Sequence, residues 1–511
     1  MTKKGLLLLA ALLSACSSPN KKPSSVIEDY ELAQDFFNEK KNWGLNKIIG
    51  VNAYEAWKLS KGSKDLVVAV VDTGIRNHPD LKGSIFVNSK ETGLVDSSFC
   101  KINGIEYKEK FRGSYFIDGK RTTPFCQDKS NEGNSYCLSG GIEKIPEDKI
   151  LVTPCNKAEN FVDDDKNGYI DDVSGWDFSR KIADVTDNHG HGTHISGIIA
   201  GKYNQDFQAS GVAPNVKILP LKYYCDANEV NKDIFLKEKK SKCDITKNLE
   251  SSTEALKYAI SQKVKIINYS GGGSEYSEEE FKVLKEAEKQ GILVVAAAGN
   301  DRREIKEKDE VPVNRKVNQA GKTLSWEELK EAKIKSEEYK YYPCSYKLKN
   351  VICVAASTQY RMLASFSNWG ENFVDVFAPG EQIKSLGLYE DYSYMNGSSQ
   401  ATAFVSGVAA LILSVKPELS PEEVRSIIVN TSQSNDSLKS LSKANGLVDA
   451  YRAVYFAIKG VTPKDREISN NKKNLQGPKI INPNKGSLRS FQQIQREKLL
   501  IIEELKSLKE E

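Results

Sequence analysis

Histidine is scarce in this sequence: only four occur among 511 residues. Any chemistry that needs an imidazole base must draw on His78, His189, His191 or His194. Net charge is also nearly absent, at +4, which removes bulk electrostatics as an argument for nucleic acid or an anionic membrane surface as partner. No CxxC pair occurs, so the cysteines do not have the spacing of a zinc site. There is no internal repeat, and the one apolar run at the start of the chain, Gly5 to Leu13, is too short to span a bilayer. What remains is an ordinary soluble composition, 39% hydrophobic and 28% charged, in a chain long enough for a large core with insertions.

The first residues have the form of an export signal. Lys3 and Lys4 precede the apolar run, and Leu13-Ser14-Ala15-Cys16 closes it with small residues and a cysteine. This tetrapeptide resembles a bacterial lipobox, which implies a signal peptide over 1–15, lipidation of Cys16 and a membrane anchor. Ser17 rather than Asp after the cysteine implies, by the same resemblance to Gram-negative lipoproteins, the outer membrane. A polar tether and arm, 16–50, follows, in which Trp43-Gly44-Leu45 is expected to pack on the main domain. Setting Cys16 aside leaves eight cysteines, an even number that suits an oxidising compartment. Cys100, Cys126, Cys137 and Cys155 crowd one insertion. Cys225/Cys243 and Cys344/Cys353 have the spacing of local loop staples, with connectivity open.

Three apolar, β-branched runs end in small or turn residues: Leu66 to Val71, Val264 to Tyr269 and Ile292 to Ala298. Continuous runs of this kind suit parallel strands buried on both faces. Helical patterns lie between them at Gly192 to Gly201, Ser252 to Gln262 and Ser277 to Gln290. The alternation predicts an α/β domain over 51–458, three-layered, with a mostly parallel central sheet flanked by helices. Insertions are expected at about 84–184 and at 301–340, a linker at 459–487, and an amphipathic helix at 488–511. In such sheets chemistry gathers at the carboxyl ends of the strands, where Asp72, Ser270 and Asn300 all fall.

Three of the four histidines lie in Asp187-Asn188-His189-Gly190-His191-Gly192-Thr193-His194. A serine nucleophile needs an imidazole base, and the base needs a carboxylate to fix its tautomer. Asp72, at a strand end before Thr73-Gly74, can be held rigidly. Ser399 opens a small-residue helical stretch, where backbone amides and the helix dipole favour developing negative charge. Asn300, after Ala-Ala-Ala-Gly, can donate its side-chain amide to an oxyanion. Each piece alone has a plain alternative: a common turn, a common loop, or a histidine cluster that binds metal.

Their order carries the inference. Val70-Val71-Asp72-Thr73-Gly74, His191-Gly192-Thr193-His194 and Gly397-Ser398-Ser399-Gln400-Ala401-Thr402 resemble the Asp, His and Ser motifs of the subtilisin-like serine proteases, in that family's order. Supporting segments are His78-Pro79-Asp80-Leu81, Gly211-Val212-Ala213-Pro214, Asn268-Tyr269-Ser270-Gly271-Gly272, Ala297-Ala298-Gly299-Asn300 and Asp375 to Gly380. The resemblance implies a catalytic triad of Asp72, His191 and Ser399 with Asn300 in the oxyanion hole. It further implies that Ser270, Gly271 and Gly272 bind substrate backbone and line the P1 pocket, which takes the side chain just before the scissile bond. Protein or peptide substrates, and no cofactor for catalysis, follow from the same resemblance. Ser398, Gln400, Ala403 and Phe404 depart from the family pattern without removing a reactive group. The alternative from another class is a catalytically idle relative that binds peptides or partners.

Two features stand outside that core. Asp163-Asp164-Asp165-Lys166-Asn167-Gly168-Tyr169-Ile170-Asp171-Asp172 places oxygen ligands at positions one, three, five and nine of a loop, with glycine at six. A structural calcium ion on Asp163, Asp165, Asn167 and Asp171 is expected, although Ser174 replaces the bidentate Glu of an EF-hand. Phe491, Ile494, Lys498, Ile501, Leu505 and Leu508 recur at three- and four-residue spacing over 488–511, a stripe suited to a partner helix or to packing on the chain's own domain, with Lys498 counting against a coiled coil.

Overall fold

The computed structural model describes residues 42–92, 163–203, 209–225, 243–307 and 338–463, together with the backbone of eight short strands between Phe99 and Val152. The signal peptide, Cys16, the linker, the helix at 488–511 and the side chains of Cys100, Cys126, Cys137 and Cys155 lie outside the described residues.

The central sheet contains β1 (Val67–Asp72), β2 (Trp176–Asp177), β3 (Lys217–Lys222), β4 (Ile266–Tyr269), β5 (Leu293–Ala297), β6 (Val351–Ser357) and β7 (Val376–Pro379). A hairpin, β8 (Ile383–Leu386) and β9 (Tyr392–Met395), stands apart from it, and β10 (Gln433–Ser434) and β11 (Gly446–Leu447) complete one edge. Strand order is β2-β3-β1-β4-β5-β6-β7-β11-β10, parallel throughout except for the β10–β11 pair. The eight strands of the first insertion form separate antiparallel sheets of five and three strands.

The apolar runs are continuous because each strand feeds two cores. Val68 and Val70 of β1 pack with Ile195, Ile198 and Ile199 of α1 (His191–Ala200) on one face. Ala69 and Val71 pack with Leu256 and Ala259 of α2 (Asn248–Ser261) and Leu284 of α3 (Glu278–Lys289) on the other. Successive side chains of a strand point to opposite faces, so a sheet covered by helices on both sides needs apolar residues at every position. The buried face of α1 is shared with α4 (Ser398–Val415), which is buried along almost its whole length. An all-round apolar helix of this length is, here, the core helix of a globular domain.

Two disulfides, Cys225–Cys243 and Cys344–Cys353, close the local loops expected of them. The arm packs on the domain: Leu45 is fully buried, Trp43 Nε1 donates to the Glu381 carbonyl at 3.1 Å, and Gly44 lies against the Phe404 ring. Phe404, one of the departures from the family pattern, therefore fills the space under the arm.

β1 lies between β3 and β4: the chain runs from β1 to β2 and back to β3 on one side, then crosses to β4 on the other, so the winding direction changes at β1. The crevice beyond the carboxyl ends of strands at such a switch is where a doubly wound sheet can receive a ligand. Asp72 is the last residue of β1.

Candidate active site

Asp72 is buried, and its Oδ1 accepts from Thr73 N–H at 2.8 Å and from His191 Nδ1 at 2.7 Å. His191 is the first residue of α1. The approach is possible because residue 192 is glycine: a β-carbon there would strike the Gly74 carbonyl. With Nδ1–H committed to Asp72, Nε2 of a neutral His191 is the free acceptor. Burial alone would depress the His191 pKa. The charge and hydrogen bond of Asp72, with Asp187 beyond, outweigh that and hold it above the ordinary histidine value.

Ser399 lies in the first turn of α4. Its hydroxyl donates to the Ser270 carbonyl at 2.9 Å, and the Ser270 hydroxyl donates back to the Ser399 carbonyl at 3.1 Å. Asn268 Nδ2 donates to Ser270 Oγ at 2.9 Å, and Ser406 of α4 donates to Asn268 Oδ1 at 2.8 Å. This polar ladder fixes the end of β4 to the start of α4. No hydrogen bond joins Ser399 to His191; the serine hydroxyl is held by the Ser270 carbonyl.

Asn300 follows β5 and is exposed. Its Oδ1 accepts from Ser398 N–H at 2.9 Å, which leaves the Nδ2 donors facing the cleft. The Ser399 N–H, next along the helix start, has no acceptor one turn earlier within the helix. A β-carbon on Gly397 would stand 3.6 Å from both Asn300 Nδ2 and Ser399 N, so the two donors lie near one point, as an oxyanion would require.

One residue was quoted in the sequence without a role. Asp187 is fully buried and accepts from Thr73 Oγ1 (2.9 Å), His189 N (2.9 Å), Gly190 N (2.8 Å), Thr193 N (2.9 Å) and Thr193 Oγ1 (2.7 Å). Thr73 Oγ1 in turn accepts from Gly192 N at 2.8 Å. Asp187 thus binds the end of β1 to the start of α1, fixing Asp72 and His191 relative to one another. The only sequence signal was an aspartate four residues before the histidine. The other histidines do not converge on a metal. His194 Nε2 faces the Ile383 and Ser393 carbonyls at 3.1 and 3.2 Å, so it carries the proton and ties α1 to the hairpin. Burial and the neighbouring His191 lower its pKa to about 4. His78 caps its own short turn, accepting from Asp80 N–H at 3.1 Å.

The acidic loop differs from the arrangement its spacing predicts. Both Asp163 oxygens accept from loop amides, those of Asn167 and Gly168. Asn167 Oδ1 accepts from Tyr169 N–H, and its Nδ2 donates to Asp172 at 2.7 Å. Asp171 is not in the cluster. Of the four expected ligands only Asp165 turns a carboxylate inward, where it meets Asp172 and Glu91, all within 4.8 Å of one another. Short Asp and Asn side chains bond readily to backbone two residues on, and here Asp163 and Asn167 each accept from loop amides, which leaves each of those oxygens a second lone pair. Glu91 is fully buried; Oε1 accepts from Asp165 N–H at 2.9 Å, while Oε2 has no partner. Burial, then the charges of Asp172, Asp164 and Asp165, raise the Glu91 pKa to about 7.

Comparison with known proteins shows the family of the chain. The model of the subtilase family, Peptidase_S8, matches residues 63–453. The chain belongs to the subtilase family. It is 26% identical over 438 residues to subtilisin-like protease 1 of Plasmodium berghei, covering 83% of this chain and 56% of that protein. It is 30% identical over 284 residues to the thermophilic serine proteinase of Bacillus sp. (strain AK1), covering 56% of this chain and 57% of the relative. It is 28% identical over 359 residues to the cell wall-associated protease of Bacillus subtilis, covering 68% of this chain and 34% of the relative. The chain thus spans little more than half the length of the first two subtilase relatives, and a third of the last.

Proposed function

We propose that this subtilase is a serine endopeptidase that cleaves protein or peptide substrates through an acyl-enzyme on Ser399. The observation that carries the proposal is the 2.7 Å bond between Asp72 and His191 at a switch-point crevice that also holds Ser399 and Asn300. Substrate entry turns the Ser399 hydroxyl from the Ser270 carbonyl toward His191 Nε2. As Oγ attacks the scissile carbonyl, Nε2 takes its proton, and Asp72 stabilises the imidazolium. Asn300 Nδ2 and the Ser399 amide receive the oxyanion. His191 then protonates the leaving amine, and water enters by the reverse sequence. Ser270, Gly271 and Gly272 present backbone groups to an extended substrate, in the manner of an added strand. The test is covalent labelling by a fluorophosphonate. Labelling of the wild type that disappears in Ser399→Ala supports the mechanism; an unlabelled, folded wild type supports the idle, partner-binding alternative.

The same proposal places the enzyme outside the cytoplasm, lipid-anchored at Cys16 in the envelope. The two disulfides, the lipobox-like start and a relative named for the cell wall support it. A structural calcium ion completes the proposal. Glu91, Asp165 and Asp172 fit a hard cation: three carboxylates converge, and one buried oxygen lacks any donor. Bound there, the ion would supply the counter-charge that the cluster lacks and would hold the acidic loop to the segment after β1.

A further inference from the structure

The P1 pocket contains a side chain that its glycine-rich walls do not announce. On the reading that Ser270, Gly271 and Gly272 line the P1 pocket, the P1 side chain of an acyl group on Ser399 lies beside them, and the turn Ala298–Asn300 faces the Tyr341 ring from the other side. Glycines on both walls would ordinarily leave the slot between them open. Here the Tyr341 ring lies across it. A β-carbon on Gly272 would stand 2.7 Å from Tyr341 Cε1, and one on Gly299 would stand 2.6 Å from Cε2. The two edges of one ring thus touch the two walls. Gly299 also has φ of 97°, so its lack of a side chain is required by the backbone as well as by the ring.

The ring is fixed in this position by its own backbone. Tyr341 N–H donates to Ser345 Oγ at 2.9 Å, and its carbonyl accepts from Ser345 N–H at 2.9 Å. Tyr342 pairs with Gly273 in both directions, at 2.7 and 3.1 Å, and the Cys344–Cys353 disulfide holds the segment behind it. Tyr223 closes the neighbouring side, its hydroxyl against Gly271. Burial holds the Tyr341 hydroxyl above the usual tyrosine pKa, so the ring is a neutral plug rather than a charged ligand.

We infer that Tyr341 shortens the P1 pocket and restricts cleavage to sites with a small P1 residue: glycine, alanine or serine. This rests on the peptidase mechanism above and names its substrate class. A pocket sized for a methyl group rejects a benzyl group by overpacking, since close-packed aromatic walls do not yield without cost.

The test profiles purified full-length protein on peptides that differ only at P1, carrying Gly, Ala, Leu or Phe. Ala is expected over Phe in kcat/KM by roughly 100-fold, the scale that pocket contacts can supply. Tyr341→Ala and Tyr341→Gly are expected to shift the Phe-to-Ala ratio upward by at least about tenfold. Fluorophosphonate labelling of each variant shows that the site has folded. Wild type that cleaves after Phe as readily as after Ala overturns the inference whatever the variants do. So does a labelled variant whose P1 ranking is unchanged. Absence of labelling in wild type would instead bring down the peptidase mechanism, so the two failures are distinct.

Discussion

Two buried acidic centres sit in this domain, and they are built in opposite ways. At the first, Asp187 has five donors and Asp72 has two. Every carboxylate charge there is met by amides, hydroxyls or an imidazole of the chain itself. At the second, Glu91, Asp165 and Asp172 face one another; Asn88, Asn167 and Tyr258 donate to Asp172 and Asn88 to Asp165, but Glu91 Oε2 has no donor among the described residues. Lys90 Nζ, largely exposed, comes only to 3.9 Å of Asp165. The first centre is complete as folded and can spend its geometry on catalysis. The second gathers like charges whose mutual repulsion a cation would relieve. Burial has the same sign in both, so the contrast lies in the donors.

The comparison can be broken most sharply at Asp72. Asp72→Asn should lower turnover by roughly 10^4-fold, the scale of the same change in other serine proteases, with little loss of stability. It should also move the pH profile. Activity needs neutral His191, whose pKa Asp72 raises, so wild-type kcat/KM falls as pH drops through a value above about 6.5. Without the carboxylate charge, burial prevails and the acid limb shifts to lower pH. An unshifted limb would mean that Asp72 does not set the His191 proton affinity.

Asn300→Ala tests the donors rather than the acids. It should reduce kcat on the order of 100- to 1,000-fold with KM nearly unchanged, a scale borrowed from the corresponding donor in subtilisin. Near-normal kcat would assign the oxyanion to other donors.

Asp187→Asn should cost about 3 kcal/mol in denaturant unfolding, because buried donors on Thr193 and the loop lose their acceptor. Activity should fall with it, since the same bonds set the Asp72–His191 spacing. A variant as stable as wild type would show that the saturation of this centre is not what holds the loop.

The smallest effect belongs to the second centre. Chelation should destabilise wild type by about 2.7 kcal/mol where calcium had been near a hundred times its Kd. Glu91→Gln should lose most of that sensitivity and, in chelator, should be more stable than wild type, because one of three opposed charges is gone. Indifference of wild-type melting to chelator would leave the acidic loop a polar turn and erase the distinction between the centres.

Much of this was legible in one dimension. The strand runs were found within two residues of their ends, because a sheet buried on both faces forces continuous apolar composition. Asp72, His191, Ser399 and Asn300 could be singled out because each sits beside a turn or helix start with its own local signature. Glu91 was not, since it joins Asp165 from 74 positions away and no local pattern marks it. Asp172 stands in the cluster where Asp171 was expected, and a local spacing rule does not tell two adjacent aspartates apart.

The sequence by itself determined the α/β alternation, the order of the Asp, His and Ser motifs and a cysteine spacing that suits two local staples, all set by residues close in the chain. Tertiary structure alone decided that Ser399 rests on the Ser270 carbonyl, that Asp187 binds β1 to α1, and that Tyr341 lies between Gly272 and Gly299. Each of those contacts joins segments far apart in the chain, and short-range preference carries no information on distances that only the packing of the sheet and its helices sets.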